Sequence, residues 1–421
     1  MNLFKTSVLN GIAVLIKTAT MFILNKILAV YVGPSGYATI GQFQNFIQII
    51  TGFAGSSINT AVVKYTAEYY EDEDKQRATW KTAGSIVFTF SIIVAFLILA
   101  LQKQLSFYIF QTYEYQSVFV WFAIFLLFFN LNTLFLAILN GKKEITKFVI
   151  ANISGSLFSL VITGLLSIKF GLYGALIAIS IYQSITFFVT FFLCYKSDWF
   201  KIKYLFGKIN RDILKKMSKF ALMAITSIVF GNIAQIILRN LIISEYNLTY
   251  AGYWDGMTRL SGGYLMFAST ILSVYYLPKL SELKRYEDII AEIKNGYKVI
   301  LPLAAFLSLL VYLFQDIIIK LLFTEQFLPM NELMLWQLIG DVIKIGSWII
   351  SFIMLSKAMT KMFIITEAFF ALSIIPLTII FMNYFGFKGV AIAFALNCLF
   401  YWIACSYFSL KKLRREQHES S

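Results

Sequence analysis

Eight ionisable residues interrupt otherwise apolar stretches of this chain: Lys17, Lys26, Arg239, Arg259 and Lys344 are basic, and Asp255, Asp341 and Glu367 acidic. In hydrocarbon each such charge costs roughly 2.5–3.5 kcal/mol on insertion scales, so it is turned toward a partner or toward water. Five cations against three acids would make a hydrated chamber that attracts an anion. Asp255 and Arg259 are four residues apart, and Asp341 and Lys344 three, so each pair can neutralise itself on one helix face. Arg239 has no acid at that spacing and, with Lys17, is the leading candidate for contact with an anionic ligand. Glu367, in IITEAFF, also lacks a local partner, which leaves titration and packing both open.

Catalytic groups are scarce by comparison. The single histidine, His418, lies in the polar tail RREQHESS, and Cys194, Cys398 and Cys405 lie in apolar runs without paired or metal-ligand spacing. There is no nucleotide-binding loop. The expectation is a protein that is not an enzyme and holds no cofactor or metal, with coupling to a proton or sodium gradient left open.

The elements that must position the charges are membrane helices. Hydrophobic residues make up 59% of the 421, charged residues 14%, and mean hydropathy is +0.74, all outside the range of soluble domains. Apolar runs of spanning length fall at 8–31, 38–63, 82–101, 117–139, 148–168, 173–195, 219–242, 252–277, 299–319, 331–355, 363–383 and 389–410, twelve in all. The first is too long for a signal peptide and is read as a retained span. Lys17 then lies roughly 13 Å into it at 1.5 Å per residue, too deep for easy snorkelling, whereas Lys26 could reach the outer interface along its stem. Nine residues apart, the two point to opposite faces.

Lys and Arg distribute unevenly between alternate connections, 26 on one side and 4 on the other, which places both termini in the cytoplasm. That topology explains most of the net charge of +14 without nucleic acid. The basic stretch 196–219 reads as an orientation signal that touches anionic lipid.

FGLYGALIA at 170–178 and FGFKGVAIA at 385–393 are 215 residues apart, half the chain, with ITKFVI (145–150) matched by MTKMFI (359–364) and SGYATIGQF (35–43) loosely by AGYWDGMTR (251–259). Six spans per copy keep the two halves in the same orientation, related by an axis along the membrane normal. The lobes divide at 1–205 and 206–421. Polar faces recur at helical spacing: Asn45, Gln48 and Asn59 in the second span, Asn232, Gln235 and Arg239 in the seventh, Gln337, Asp341, Lys344, Trp348 and Ser351 in the tenth. Pro376 can kink the eleventh span, while Pro302 reads as a first-turn proline of the ninth.

The opening KTSVLNGIAVLIKTATMFILNKILAVYVGPSGY, the stretches SKFALMAITSIVFGNIAQIILRN and SVYYLPKLSEL, and the run WQLIGDVIKIGSWIISFIMLSKA resemble the Wzx flippases of the multidrug/oligosaccharidyl-lipid/polysaccharide exporter (MOP) superfamily, especially the O-antigen and enterobacterial common antigen carriers. The resemblance covers essentially the whole chain. It implies two six-helix lobes whose first, second, seventh and eighth helices line a cavity open alternately to either side of a bacterial inner membrane. The implied substrate is an undecaprenyl-diphosphate-linked oligosaccharide, whose diphosphate would meet Lys17, Lys26, Arg239 and Arg259. Asp255, Asp341, Lys344 and Glu367 would be cavity charge pairs or coupling groups. A polysaccharide polymerase and a chain-length regulator would be its working partners.

Two other readings stand beside this one. An antiporter of cationic drugs on the same fold would be expected to have an acid-dominated cavity. A membrane polysaccharide polymerase or ligase would need a catalytic constellation and a large periplasmic loop, but the outer connections here are short.

Overall fold

Hydrocarbon offers no partner for a peptide N–H or C=O, so apolar runs of this length must close their hydrogen bonds within helices. The protein, seen in a computed structural model that describes residues 3–283, 285–357 and 359–420, is all-α, with no strand among the described residues. Lys284 and the side chains of Lys5, Lys219, Arg415 and His418, counted above, lie outside the described residues.

The chain forms two compact units that divide between Asn232 and Ile233. The first holds α1 (Leu3–Tyr31), α2 (Gly33–Phe53), α3 (Asn59–Glu68), α4 (Glu73–Phe110), α5 (Gln116–Gly141), α6 (Ile145–Tyr195) and the start of α7 (Arg211–Glu245). In it α5 packs on α4 and α6, and α1 on α6. One end is filled by a ring cluster in which Phe43 and Phe46 meet Phe119 edge-on, with centroids 5.6 and 5.4 Å apart. The other end is tied by a buried polar node. Gln76 donates to the Thr66 carbonyl at 2.6 Å, Trp80 donates to the Thr66 hydroxyl at 2.9 Å, and Lys142 donates to the Gln76 side chain at 3.1 Å. Burial there pushes Lys142 below the ordinary lysine pKa.

The second unit holds the rest of α7, then α8 (Leu248–Ile271), a π-helical turn (Leu272–Tyr276), α9 (Leu277–Glu282), α10 (Tyr286–Leu313), α11 (Gln315–Leu322), α12 (Asn331–Ser356), α13 (Thr360–Phe385) and α14 (Gly389–Ser420). Here α12 is the central helix, packed on α8, α10 and α14, with α13 against α14. The π turn immediately precedes α9, whose first turn contains Pro278. Proline lacks the N–H that would continue the α-helical ladder, so the turn upstream widens.

The internal repeat is visible in the backbone. α5 and α12 begin 215 residues apart and end 215 apart, at 116 and 331, and at 141 and 356. α6 contains one non-helical residue, Gly171, at φ 56° and ψ −134°, and 215 residues on Gly386 ends α13 at φ 65° and ψ −149°. Only glycine adopts this region readily. Three residues later the same motif repeats a close approach. A Cβ on Gly174 would lie 1.9 Å from the Leu166 carbonyl oxygen, and one on Gly389 2.2 Å from that of Phe381. FGLYG and FGFKG are therefore two copies of one sharp break between membrane helices.

By length and apolarity, eight helices among the described residues can cross a bilayer, or nine with the pair Gly33–Phe53 and Ser56–Glu68, which is bent by 66°. This is a multi-pass membrane protein. That count takes Ile145–Tyr195 as one helix and Thr360–Arg414 as another. Divided at Gly171 and Gly386, and with the more polar α8 added, the helices fall on the twelve segments read from the sequence.

Two expectations need correction, and a third segment has a role in packing besides the one read for it. The helices of the third and ninth spans, α4 and α10, start at Glu73 and Tyr286, well before 82 and 299, because charged first turns, with Glu73 and Asp74 in one and Glu287 and Asp288 in the other, extend them beyond the apolar run. The Asp72 carboxylate, held below the ordinary range by its hydrogen bonds with Lys75, caps the first of these. Pro302 consequently lies inside α10 rather than in its first turn. The segment 196–210 is a packed strap. Phe200 and Leu205 are buried, Trp199 meets Trp80 at 5.5 Å, and Ser85 and Gly207 exchange hydrogen bonds.

Replacing Gly386 with Ala is expected to lower stability by about 1–3 kcal/mol, the range for a side chain forced into this backbone region. Gly231→Ala, where an added Cβ meets nothing within 4 Å, should not destabilise. Thermal unfolding of the purified variants in detergent compares the two; equal midpoints would remove the argument for the break.

Candidate functional site

Lys17 and Lys26 belong to the first unit and the other six embedded charges to the second. α1 is one uninterrupted helix, so nine residues do put the two lysines on opposite faces. Lys17 is exposed, and its ammonium has no hydrogen bond or ion pair among the described residues. Lys26 is half-buried. The turn after Lys17 is closed by Thr20, whose hydroxyl donates to the carbonyls of Ile16 and Lys17, both at 2.9 Å.

In the second unit the pairing differs from the expectation along single helices. Arg239 on α7 donates from Nε to Asp255 Oδ2 at 2.7 Å and from Nη2 to Oδ1 at 2.6 Å, so both oxygens of the α8 carboxylate are held across the helix pair. Arg239 is 2% exposed and Asp255 5%. The acid that Arg239 lacked locally is thus 16 residues away, on the next helix. A planar guanidinium and a carboxylate fit in this bidentate way, and the pair leaves no net charge to be solvated. Arg259, one turn along α8 from Asp255, is half-buried.

Asp341, at the centre of α12, is 0% exposed and takes neutral donors. Ser261 donates to Oδ2 at 2.7 Å, Tyr264 donates to the same oxygen, and Gln337 donates to Oδ1 at 3.2 Å. No Asp341–Lys344 ion pair forms among the described residues. Lys344 instead lies 5.4 Å from the ring centroids of both Trp348 and Phe394, a cation–π arrangement. Lys344 is still within electrostatic reach of Asp341 and Glu367. Glu367 on α13 accepts from the Tyr401 hydroxyl on α14 at 2.6 Å. The structure therefore brings together Arg239 with Asp255, and Asp341, Lys344 and Glu367 around α12.

Ser261, Tyr264 and Tyr401 were missed by the sequence reading. Ser261 and Tyr264 share one face of α8, three residues apart, which was a usable signal. Tyr401 is found only by folding α14 back on α13 about the break at Gly386. Asn45 Nδ2 and Asn59 Oδ1, from the polar face of the second span, have no partner among the described residues. Buried amide atoms of this kind are suited to water or a polar ligand.

The profile of a family described as polysaccharide biosynthesis protein matches residues 3–284. The chain belongs to this family. Among its relatives are the Lipid III flippases of Escherichia coli (strain K12) and Shigella flexneri, each 29% identical over 420 residues, covering 98% of this chain and all of the relative. Its fold is similar to that of an inward-facing multidrug resistance MATE family transporter of the MOP superfamily, with a TM-score of 0.79 at 16% identity over 96% of both chains. It is also similar to that of the Lipid II flippase MurJ in an inward closed conformation, with a TM-score of 0.69 at 16% identity over 97% of this chain and 90% of that one.

Removing one partner of a buried ion pair strands the other, at about 3–5 kcal/mol, whereas replacing both with apolar groups is often neutral. Asp255→Leu and Arg239→Met are each expected to destabilise the protein more than the two changes together. A double-mutant cycle on thermal stability reads the difference, and additive losses would show that the pair is not coupled.

Proposed function

We propose that this protein is a flippase that moves an undecaprenyl-diphosphate-linked oligosaccharide, an O-antigen or enterobacterial common antigen repeat unit, from the cytoplasmic to the periplasmic leaflet of a bacterial inner membrane by alternating access. The similarity to the Lipid III flippases over nearly the whole chain carries this reading. Two physical features support it. Embedded basic residues outnumber acids five to three, and the Arg239–Asp255 pair removes one of each without changing the sign. A diphosphate is a dianion or stronger and is held by charge-assisted hydrogen bonds from cations. Lys17, Lys26 and Arg259 take that role in the proposal. Arg239, clamped on Asp255, ties α7 to α8, the helix that carries Arg259. No covalent step is required, so the protein acts as a transporter and not as an enzyme.

Both termini lie in the cytoplasm on this reading, by the Lys and Arg asymmetry. Gradient coupling, by protons or sodium, belongs with Asp341 and Glu367, the two embedded carboxylates held by neutral donors, and with Lys344 beside them. A polymerase and a chain-length regulator would receive the product.

Purified protein in liposomes, given a fluorescent diphosphate-linked glycan lipid in one leaflet, should move it to the other. Lys17→Ala combined with Arg259→Ala should slow transfer roughly tenfold or more, since one charge-assisted contact contributes about 1.5–3 kcal/mol. Undiminished transfer in a correctly inserted variant would refute the cationic assignment, and efflux of a cationic dye in place of the lipid would favour the antiporter reading. In the same liposomes an imposed proton or sodium gradient should change the wild-type rate but not that of Asp341→Asn. A variant that responds as the wild type does removes Asp341 from coupling.

A further inference from the structure

α4 runs for 38 residues, about 57 Å at 1.5 Å per residue, whereas the hydrocarbon of a bilayer is roughly 30 Å thick. Its charged first turns take up part of the excess. The rest is the segment 102–110, which carries α4 about 13 Å past its apolar run. On the orientation that the Lys and Arg asymmetry implies, this is the outer end. There α4 and the connection to α5 enclose a pocket of about 770 Å³, lined by Lys103, Gln104, Phe107, Tyr108, Tyr113 and Gln116. That volume lies within the range of small-ligand sites, roughly 300–1,000 Å³.

The rim of the pocket is fixed by local bonds. Gln111, in the left-handed region at φ 56°, ends α4 by donating its N–H to the Phe107 carbonyl at 2.9 Å. Ser106, fully buried, donates to the Thr112 carbonyl at 2.7 Å, and Tyr113 stacks on Phe107 with centroids 5.2 Å apart. The connection is thereby folded back on α4, with Tyr113 still 58% exposed and Tyr108 73%. The side-chain polar atoms of Lys103, Gln104, Tyr108, Tyr113 and Gln116 make no hydrogen bond or ion pair among the described residues. One of the lining residues is a cation and none is an acid.

This lining selects a saccharide. Phe107, Tyr108 and Tyr113 offer ring surface to the C–H face of a sugar. Gln104 and Gln116 each offer a carbonyl acceptor and an NH2 donor, and the tyrosine hydroxyls do both, which matches sugar hydroxyls that also donate and accept. A phosphodiester headgroup has no proton for the amide oxygens, and an acyl chain would leave all five polar groups unpaired. The single ammonium, with no acid in the lining, calls for a carboxylate on that sugar.

We propose that this outer pocket binds an acidic saccharide, its ring on Tyr108 and Tyr113, its hydroxyls on Gln104 and Gln116 and its carboxylate on Lys103. The pocket lies within the first unit and uses none of the embedded charges assigned to transport. It stands whether or not the protein moves a lipid-linked glycan.

Isothermal titration calorimetry of the full-length protein in detergent, with a soluble disaccharide of glucuronic acid and N-acetylglucosamine and with its neutral glucose counterpart, reads the site without a lipid carrier or transport. Both should bind, the acidic one roughly tenfold tighter, as one charge-assisted contact allows. Lys103→Ala should abolish that preference and Lys103→Arg keep it, while Lys388→Ala, which removes an outer lysine from the second unit, should change neither. Tyr108→Ala with Tyr113→Ala should lose both sugars. Gln104→Glu, nearly the same in shape, should repel the acidic disaccharide and retain the neutral one; this variant keeps the test decisive if the tyrosine pair fails to fold. No saturable binding of either sugar, equal affinity for the two, or displacement of both by phosphatidylglycerol would overturn the site. Binding lost in Lys17→Ala with Arg259→Ala but kept in Lys103→Ala would overturn it too, assigning the sugar to the charges proposed for transport.

Discussion

A bilayer leaves a broken helix nothing to bond with, and this constraint decides where the chain can turn. Within hydrocarbon, an interruption has to be short and its freed carbonyls have to be covered by protein. Gly171 and Gly386 meet the first condition by reversing φ in one residue, and Gly174 and Gly389 meet the second by letting the returning helix press against the Leu166 and Phe381 carbonyls. Each unit depends on its copy of that break, because it sets the helix before it antiparallel to the helix after it. The interhelical contacts Ser373–Asn397 and Glu367–Tyr401 form in the hairpin that results, at 2.7 and 2.6 Å.

The same absence of water governs the charges. An embedded ion can be neutralised by an opposite ion, held by neutral donors, spread over aromatic faces or left exposed on its helix, and this chain uses each arrangement. Arg239 with Asp255 is the first, Asp341 with Ser261, Tyr264 and Gln337 the second, Lys344 over Trp348 and Phe394 the third, and Lys17 the fourth. They differ in what they permit. A bidentate ion pair with both members buried is costly to open. A carboxylate held by hydroxyls and an amide can exchange those donors for others without stranding an opposite charge.

The repeat, the helical class and the separation of charged loops from apolar spans were legible in the sequence, because each depends on a periodicity or a spacing along the chain. The pairings were not. A rule for residues three or four apart sees only one helix, and it assigned Asp255 to Arg259, whereas the structure holds its two oxygens on Arg239 across the α7–α8 connection. Tyr401 lies 34 residues from Glu367 and becomes its neighbour only once the turn at Gly386 is known. Hydropathy also hid the charged first turns of α4 and α10. The strap at 196–210 was read by its lysines, although Trp199, Phe200 and Leu205 already marked it as a segment with an apolar face.

The repeat also bears on whether the embedded charges of α12 and α13 serve packing. α5 and α12 share a start and an end at the 215-residue offset, so Asp341 and Lys344 stand where the first unit has Leu126 and Phe129, and Glu367 stands where it has Asn152. Leu126 is as fully buried as Asp341. The same helical frame is thus built once with an apolar centre and once with a carboxylate, and the apolar version needs no hydrogen-bond partners to be stable in lipid. If the frame required a charge at that position, both copies would carry one. The carboxylate of α12 is therefore not a requirement of the shared helical frame, and this difference between the copies is what motivates the coupling role proposed for it.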